Sequence, residues 1–183
     1  MIYTFLATGF EDIEALAPVD IMRRAGLAVE TVSITGELTV TSAHGVGVVA
    51  DRLLADIDFS SAELLFLPGG LPGATHLDAC QPLRQAIVRH YEAGRHIAAI
   101  CAAPLVLGHL GILEGKRATC YPGFETDLHG AQYTAALIEE DGQILTGKGP
   151  GAAFALGYAI VERMVGKDTA NQLRQGMMYQ VES

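Results

Sequence analysis

No run of basic residues occurs anywhere in the 183-residue chain, and acidic residues outnumber basic ones by 21 to 12, for a net charge of −9. Nucleic-acid binding draws on Lys and Arg to neutralise phosphates, so this balance argues against a nucleic-acid partner. No stretch approaches the ~18 consecutive apolar residues of a membrane span. The apolar start, Ile2 to Ala7, is short, carries no basic leader and runs straight into acidic residues, so we expect no secretory signal there. Cysteine is scarce: Cys80, Cys101 and Cys120 are an odd, widely separated set. A secreted disulfide scaffold shows an even number, and zinc sites show paired spacings. Free thiols, a cytoplasmic location and no metal are therefore expected. Repeats, linkers and low-complexity tracts are absent too, which leaves one domain over residues 1–183 as the economical reading.

What is present is apolar sequence punctuated by glycine. Half of the residues are hydrophobic, and a chain of this length buries ~70% of its unfolded surface. Ile2 to Ala7 reads as a first strand, and Glu11 to Ala25 has helical spacing interrupted by Pro18. Proline is tolerated in a first turn, which predicts a short turn bearing Glu11 and Glu14 and then a helix from about Pro18 to Gly26. Val29 to Ile34 alternates like a strand. Leu38 to Ala50 reads as a smaller β element around Ala43-His44-Gly45. Leu64 to Leu67 is wholly apolar, as in a strand covered on both faces, and stops at Pro68-Gly69-Gly70. Pro82 to Ala93 predicts a helix, His96 to Ile100 a strand, and Cys101 leads into a helix ending near Leu110. Asp141-Gly142 marks a tight hairpin between Leu137 to Glu140 and Gln143 to Thr146. Helices are expected from about Ala152 to Met164 and again from Asp168. Alternating strands and helices give the α/β class, with a mostly parallel, doubly wound sheet between helices on both faces.

Cys101 stands where a buried strand turns into a helix, flanked by Ala98, Ala99, Ala102 and Ala103. Small neighbours permit a sharp elbow, the logic of the Gly-x-Ser-x-Gly nucleophile turn, and helix-start amides favour thiolate over thiol. Free cysteine is also commonly buried as a small hydrophobe, and Cys80 and Cys120, which lack the elbow, read that way. Two further strand ends converge on the same side, where ligands of open α/β sheets bind. One supplies Glu11, Asp12 and Glu14; the other, Gly69-Gly70, exposes backbone N–H groups. Helix-start electrostatics alone accounts for Glu11 and Asp12, and an ordinary tight turn accounts for the two glycines. Thiol, carboxyl and amide donors together suit addition to a carbonyl.

These strings resemble the ThiJ/PfpI superfamily, also called the DJ-one superfamily, over essentially the whole chain. The likeness rests on Ala98-Ala99-Ile100-Cys101-Ala102-Ala103-Pro104, on Gly9 to Ala15, on Asp20 to Gly26, on Leu67-Pro68-Gly69-Gly70 and on Ile144-Leu145-Thr146 leading into Gly149-Pro150-Gly151. The resemblance implies a flavodoxin-like sandwich, a homodimer and no cofactor. It also implies Cys101 as the reactive cysteine and Glu14 as the carboxyl that hydrogen-bonds it. Such a carboxyl must be protonated to donate to a thiolate. Gly70 and Ala102 match the backbone oxyanion hole. Gly69, Arg24, His44 and Tyr121 match positions around the pocket. Protease-like members place His directly after the cysteine, where Ala102 stands here, which argues against a peptidase. Tyr121-Pro122 replaces a His-Pro pair of another branch, and the closest likeness is to the bacterial ThiJ/YajL-like branch. The expected activity is a glutathione-independent glyoxalase or deglycase acting on a small carbonyl substrate such as an α-oxoaldehyde. The alternatives are a redox-responsive thiol protein with chaperone behaviour and a binding protein in which Cys101 does no chemistry.

Overall fold

Leu64, Leu65, Phe66 and Leu67 are all fully buried, as are Ala98, Ala99 and Ile100. A strand apolar at every position has no face for water, so each must lie inside a sheet covered on both sides. The computed structural model describes residues 1–179 and shows that arrangement. In chain order the first half contains β1 (Ile2–Leu6), α1 (Asp12–Arg24), β2 (Val29–Ser33), β3 (Thr39–Thr41), β4 (Gly47–Val49), β5 (Arg52–Leu53), β6 (Leu64–Leu67), α2 (Gly73–Ala79) and α3 (Gln81–Glu92). The second half contains β7 (His96–Ile100), α4 (Pro104–His109), β8 (Arg117–Ala118), β9 (Gln132–Tyr133), β10 (Ile138–Asp141), β11 (Ile144–Gly147), α5 (Ala153–Val165) and α6 (Lys167–Gly176).

The main sheet has seven strands in the order β10-β11-β7-β6-β1-β2-β5. Every pairing in it is parallel except that of the edge strand β10 with β11. Strand side chains alternate between faces. Tyr3, Phe5, Leu65, Leu67, Ile97 and Ala99 point to one side, against Leu77 of α2, Leu83 and Ile87 of α3, and Val106 and Leu107 of α4. Ile2, Leu64, Phe66, Ala98 and Ile100 point to the other, against Val19, Ile21 and Met22 of α1, Leu156 and Ile160 of α5, and Ala170 of α6. This is the flavodoxin-like α/β sandwich. From β1 the chain steps out to β2 and then crosses back to β6, so the order reverses between β1 and β6. The carboxyl ends of strands at such a switch point form a crevice for ligands.

Helix α1 begins at Asp12, not near Pro18. The Glu11 side chain accepts the Glu14 N–H at 2.7 Å and caps the helix there. Pro18 then sits inside it, leaving the Glu14 carbonyl without its usual amide. Tertiary packing outweighs that loss. Pro18 and Ile21 are buried against α5 so closely that a Cβ on Gly157 would lie 2.8 Å from Ile21 Cδ1 and 3.1 Å from Pro18 Cα. Helix α2 and the short strands β5, β8 and β9 were also not foreseen; two-residue strands carry no periodicity to read. No helix of the described residues is long and apolar enough to cross a membrane.

One buried group makes the fold acid-sensitive. His90 on α3 is 4% exposed, and a ring nitrogen, Nε2, lies 3.0 Å from the His96 carbonyl. Burial pushes its pKa down to about 4. The folded state thus prefers neutral imidazole, and stability is lost as pH falls from the unfolded value near 6.5 towards 4. His90→Gln is expected to lose about 2 kcal/mol less than the wild type between pH 7 and pH 4.5. Urea unfolding at the two pH values measures the difference, and parallel losses would remove His90 from the account.

Candidate active site

Cys101 follows β7 directly and has φ +65°, a left-handed conformation that a non-glycine residue holds only where its surroundings dictate it. Two backbone bonds do so. Its N–H donates to Gly147 O on β11 at 2.9 Å, and its carbonyl accepts the Tyr121 N–H at 2.9 Å. The side chain is turned towards the ends of β1 and β6 and is 8% exposed. Two amides, those of Gly70 and Ala102, lie beside the sulfur and favour its anion. Ala102 and Ala103 are buried in the core beneath, where larger side chains would have no room.

Glu14, in the first turn of α1, is fully buried. Its Oε2 accepts the Gly69 N–H at 3.0 Å, its carboxyl lies against the Cys101 thiol, and its Oε1 has no hydrogen-bond partner. Gly69 lies between the two reactive groups. A Cβ there would fall 2.6 Å from Cys101 Cβ, 2.6 Å from Glu14 Oε2 and 2.7 Å from Ile100 O. Gly70 has φ +89°, and a Cβ on it would be 2.4 Å from Glu11 N. We expect Gly69→Ala to cost about 3 kcal/mol, because two of the three clashing groups are held by backbone geometry. Gly151→Ala, with open space around it, should stay within about 0.5 kcal/mol of the wild type. Denaturant midpoints of the two variants test the packing; equal midpoints would mean that the elbow is looser than described.

Burial pushes the Glu14 carboxyl up to about 7; the thiol hydrogen bond opposes this, the charge on Glu11 adds to it, and the Gly69 amide opposes it. Burial likewise pushes the Cys101 thiol up to about 12, with the Glu14 charge and hydrogen bond adding and the Gly70 and Ala102 amides opposing. Helix-start electrostatics, expected to favour thiolate, is thus outweighed. Cys101 precedes α4 by three residues and is nearly closed to water, whereas its anionic neighbour is in contact. The pair passes from two protons to one near pH 7 and keeps the second to about 12.

The other sequence candidates divide. Tyr121 is at the rim: its backbone is tied to Cys101, and a Cβ on Gly149 would lie 3.0 Å from its Cδ2. His44, in the β3–β4 loop, reaches the start of α1, where Nδ1 meets Asp12 Oδ2 at 2.7 Å, and its hydrogen bond to Asp12 raises its pKa. Arg24 is not brought to the site. It lies about 15 Å further along α1 than Glu14 at 1.5 Å per residue, paired with Asp20 at 2.7 Å. Gly147 joins the site from the β11 end without any signal in the sequence, and Gly149, of the Gly149-Pro150-Gly151 string, packs beside Tyr121. Among the described residues one group of side chains lies close enough to share a metal ion, Glu11, Asp12 and His44, within 4.8 Å of one another. Glu11 Oε2 is engaged as the cap and Asp12 Oδ2 by His44, and the positive end of α1 opposes a cation. The donor set does not suit one.

A cysteine on a strained elbow of a doubly wound sheet, faced by a buried carboxyl and two backbone amides, is the arrangement of the α/β nucleophile-elbow class. The model of the DJ-1/PfpI family matches residues 1–163, and the chain belongs to that family. Protein DJ-1 homolog B of Arabidopsis thaliana is 42% identical over 167 residues, which are 90% of this chain and 38% of that protein. This chain therefore spans well under half the length of that relative. The glutathione-independent glyoxalase DJR-1.2 of Caenorhabditis elegans is 32% identical over 165 residues, 89% of this chain and 87% of that one. The structure of oxidized DJ-1 from Toxoplasma gondii superposes with a TM-score of 0.94 at 29% identity, covering 98% of each chain.

Proposed function

We propose that the protein is a glutathione-independent glyoxalase, with deglycase activity on the corresponding adducts, and that Cys101 and Glu14 are its catalytic pair. The observation that carries this is the contact of the Cys101 thiol with the Glu14 carboxyl under the Gly70 and Ala102 amides. Above about pH 7 Glu14 is the base of the pair. The sulfur adds to the aldehyde carbon of an α-oxoaldehyde while Glu14 takes the thiol proton. The two amides hold the oxygen as charge develops on it. Returning that proton to the oxygen gives a neutral hemithioacetal and frees the carboxylate. Glu14 then removes the C1 proton to give an enediolate and delivers it to C2, while the C1 hydroxyl proton passes to the C2 oxygen. The result is a thioester, which water cleaves to the 2-hydroxy acid and free Cys101. One aldehyde and one water give one hydroxy acid, with no net oxidation. The 32%-identical nematode glyoxalase supports this substrate class.

We further propose a homodimer in the cytoplasm. The exposed Ile13 and Leu16 on α1 support the first, and the three unpaired cysteines support the second. The test of function is methylglyoxal supplied without glutathione, with lactate measured by NMR. Many lactates per protein, abolished when Cys101 is alkylated, are expected. Methylglyoxal consumed only once per protein, as a stable adduct, would overturn the reading.

A further inference from the structure

Glu11 was read from sequence as helix-start electrostatics, yet the structure gives it more to do. It is 8% exposed. Its Oε2 accepts the Glu14 N–H at 2.7 Å, its own N–H donates to Gly69 O at 3.0 Å, and its carbonyl accepts the Ala15 N–H at 3.1 Å. The backbone of Gly70 is pressed so closely on Glu11 that no side chain fits between them. The same residue thus touches the carrier of the carboxyl and the carrier of the amides. Helix caps are ordinarily Ser, Thr, Asp or Asn, whose short side chains suffice. A buried glutamate carries a desolvation cost that a cap alone does not justify.

We infer that Glu11 is a positioning residue for the Glu14–Cys101 pair, its side chain and main chain together holding the start of α1 against the Gly69-Gly70 turn. The inference rests on the proposed role of Glu14 as the proton carrier. The charge of Glu11 acts as well as its geometry. Among the described residues no Lys, Arg or His nitrogen lies within 4.0 Å of its carboxylate. His44 has a ring nitrogen within 4.8 Å of the Glu11 carboxylate but is engaged by Asp12 at 2.7 Å. The groups whose charge or hydrogen bond bears on the Glu14 carboxyl are Glu11 on α1, Cys101 on the elbow and the Gly69 amide after β6. Glu11 is the second carboxylate among them, and its charge favours keeping the proton on the pair.

Two variants separate charge from geometry. Glu11→Gln keeps an acceptor for the Glu14 N–H and removes the charge; Glu11→Ala removes both. The rate of Cys101 alkylation by iodoacetamide, resolved by mass spectrometry from pH 5 to 9, reads the pair without any substrate. In Glu11→Gln its inflection is expected to move about half a pH unit or more towards acid. Glu11→Ala should lower methylglyoxal turnover about tenfold or more per folded molecule, and Glu11→Gln should recover part of that loss. An inflection unmoved in Glu11→Gln, or wild-type turnover in folded Glu11→Ala, overturns the inference. If the wild type shows no turnover, the glyoxalase reading falls, and the alkylation profiles still decide the role of Glu11.

Discussion

Cys101→Ala is expected to bring lactate formation from methylglyoxal to the uncatalysed background, a loss of about 10³-fold or more. The hemithioacetal needs a sulfur at that position, and no other thiol replaces it. Cys120 is fully buried, and burial pushes its thiol up to about 12. Cys80 caps the end of α2 and is not among the groups around Glu14. Alanine keeps the left-handed backbone and its strain, so the variant should fold with little change in stability. Cys101→Gly should be equally inactive and about 1 kcal/mol more resistant to urea, because glycine holds φ +65° without strain. Inactivity joined to greater stability would identify strain stored for function. Lactate at the wild-type rate from Cys101→Ala would remove the cysteine from the mechanism altogether.

Glu14→Gln is expected to lower turnover by about 10²–10⁴-fold, the usual contribution of a positioned acid–base group. Its effect on stability has the opposite sign. The carboxyl titrates near 7 in the fold, against 4.5 for the unreacted group. Raising the pH through that window ionises the unfolded chain first, so the wild type loses about 3 kcal/mol between pH 4.5 and 8 from this group. Glutamine has no charge to bury and should flatten the profile, leaving the variant more stable at pH 8 and little changed at pH 4.5. Its thiol, freed of the neighbouring charge, should ionise at lower pH and alkylate faster at pH 8 even as turnover falls. Thermal melting at the two pH values, with lactate assays alongside, reads all three effects. A variant less stable than the wild type at pH 8 would show that Glu14 is not held against its ionisation.

The strand core was legible because it is written in unbroken apolar runs. Leu64 to Leu67 and Ile97 to Ile100 admit no exposed face, and Gly69-Gly70 after the first marks where the chain must turn. The elbow was legible for a steric reason as well: Ala102 and Ala103 directly after Cys101 leave room for a sharp turn from strand into helix. The start of α1 was misread because proline is a strong local signal. Its cost was set against no visible gain, and the gain lies in the close packing of Pro18 and Ile21 on Gly157. Arg24 and Glu14 share a helix, but only the fold shows that the helix carries one to the crevice and the other away from it.

What the sequence determined by itself was the class of fold, the strand ends that would meet and the cysteine at their elbow, because periodicity, glycine and residue type are local properties. The tertiary structure decided the protonation of that thiol and of the Glu14 carboxyl. Burial and the contact of one acid with another, between Glu14 and Cys101, 87 positions apart in the chain, push both groups upward, against the direction that the helix start alone gives the thiol. Desolvation and charge proximity act through space, and no spacing along a chain records them.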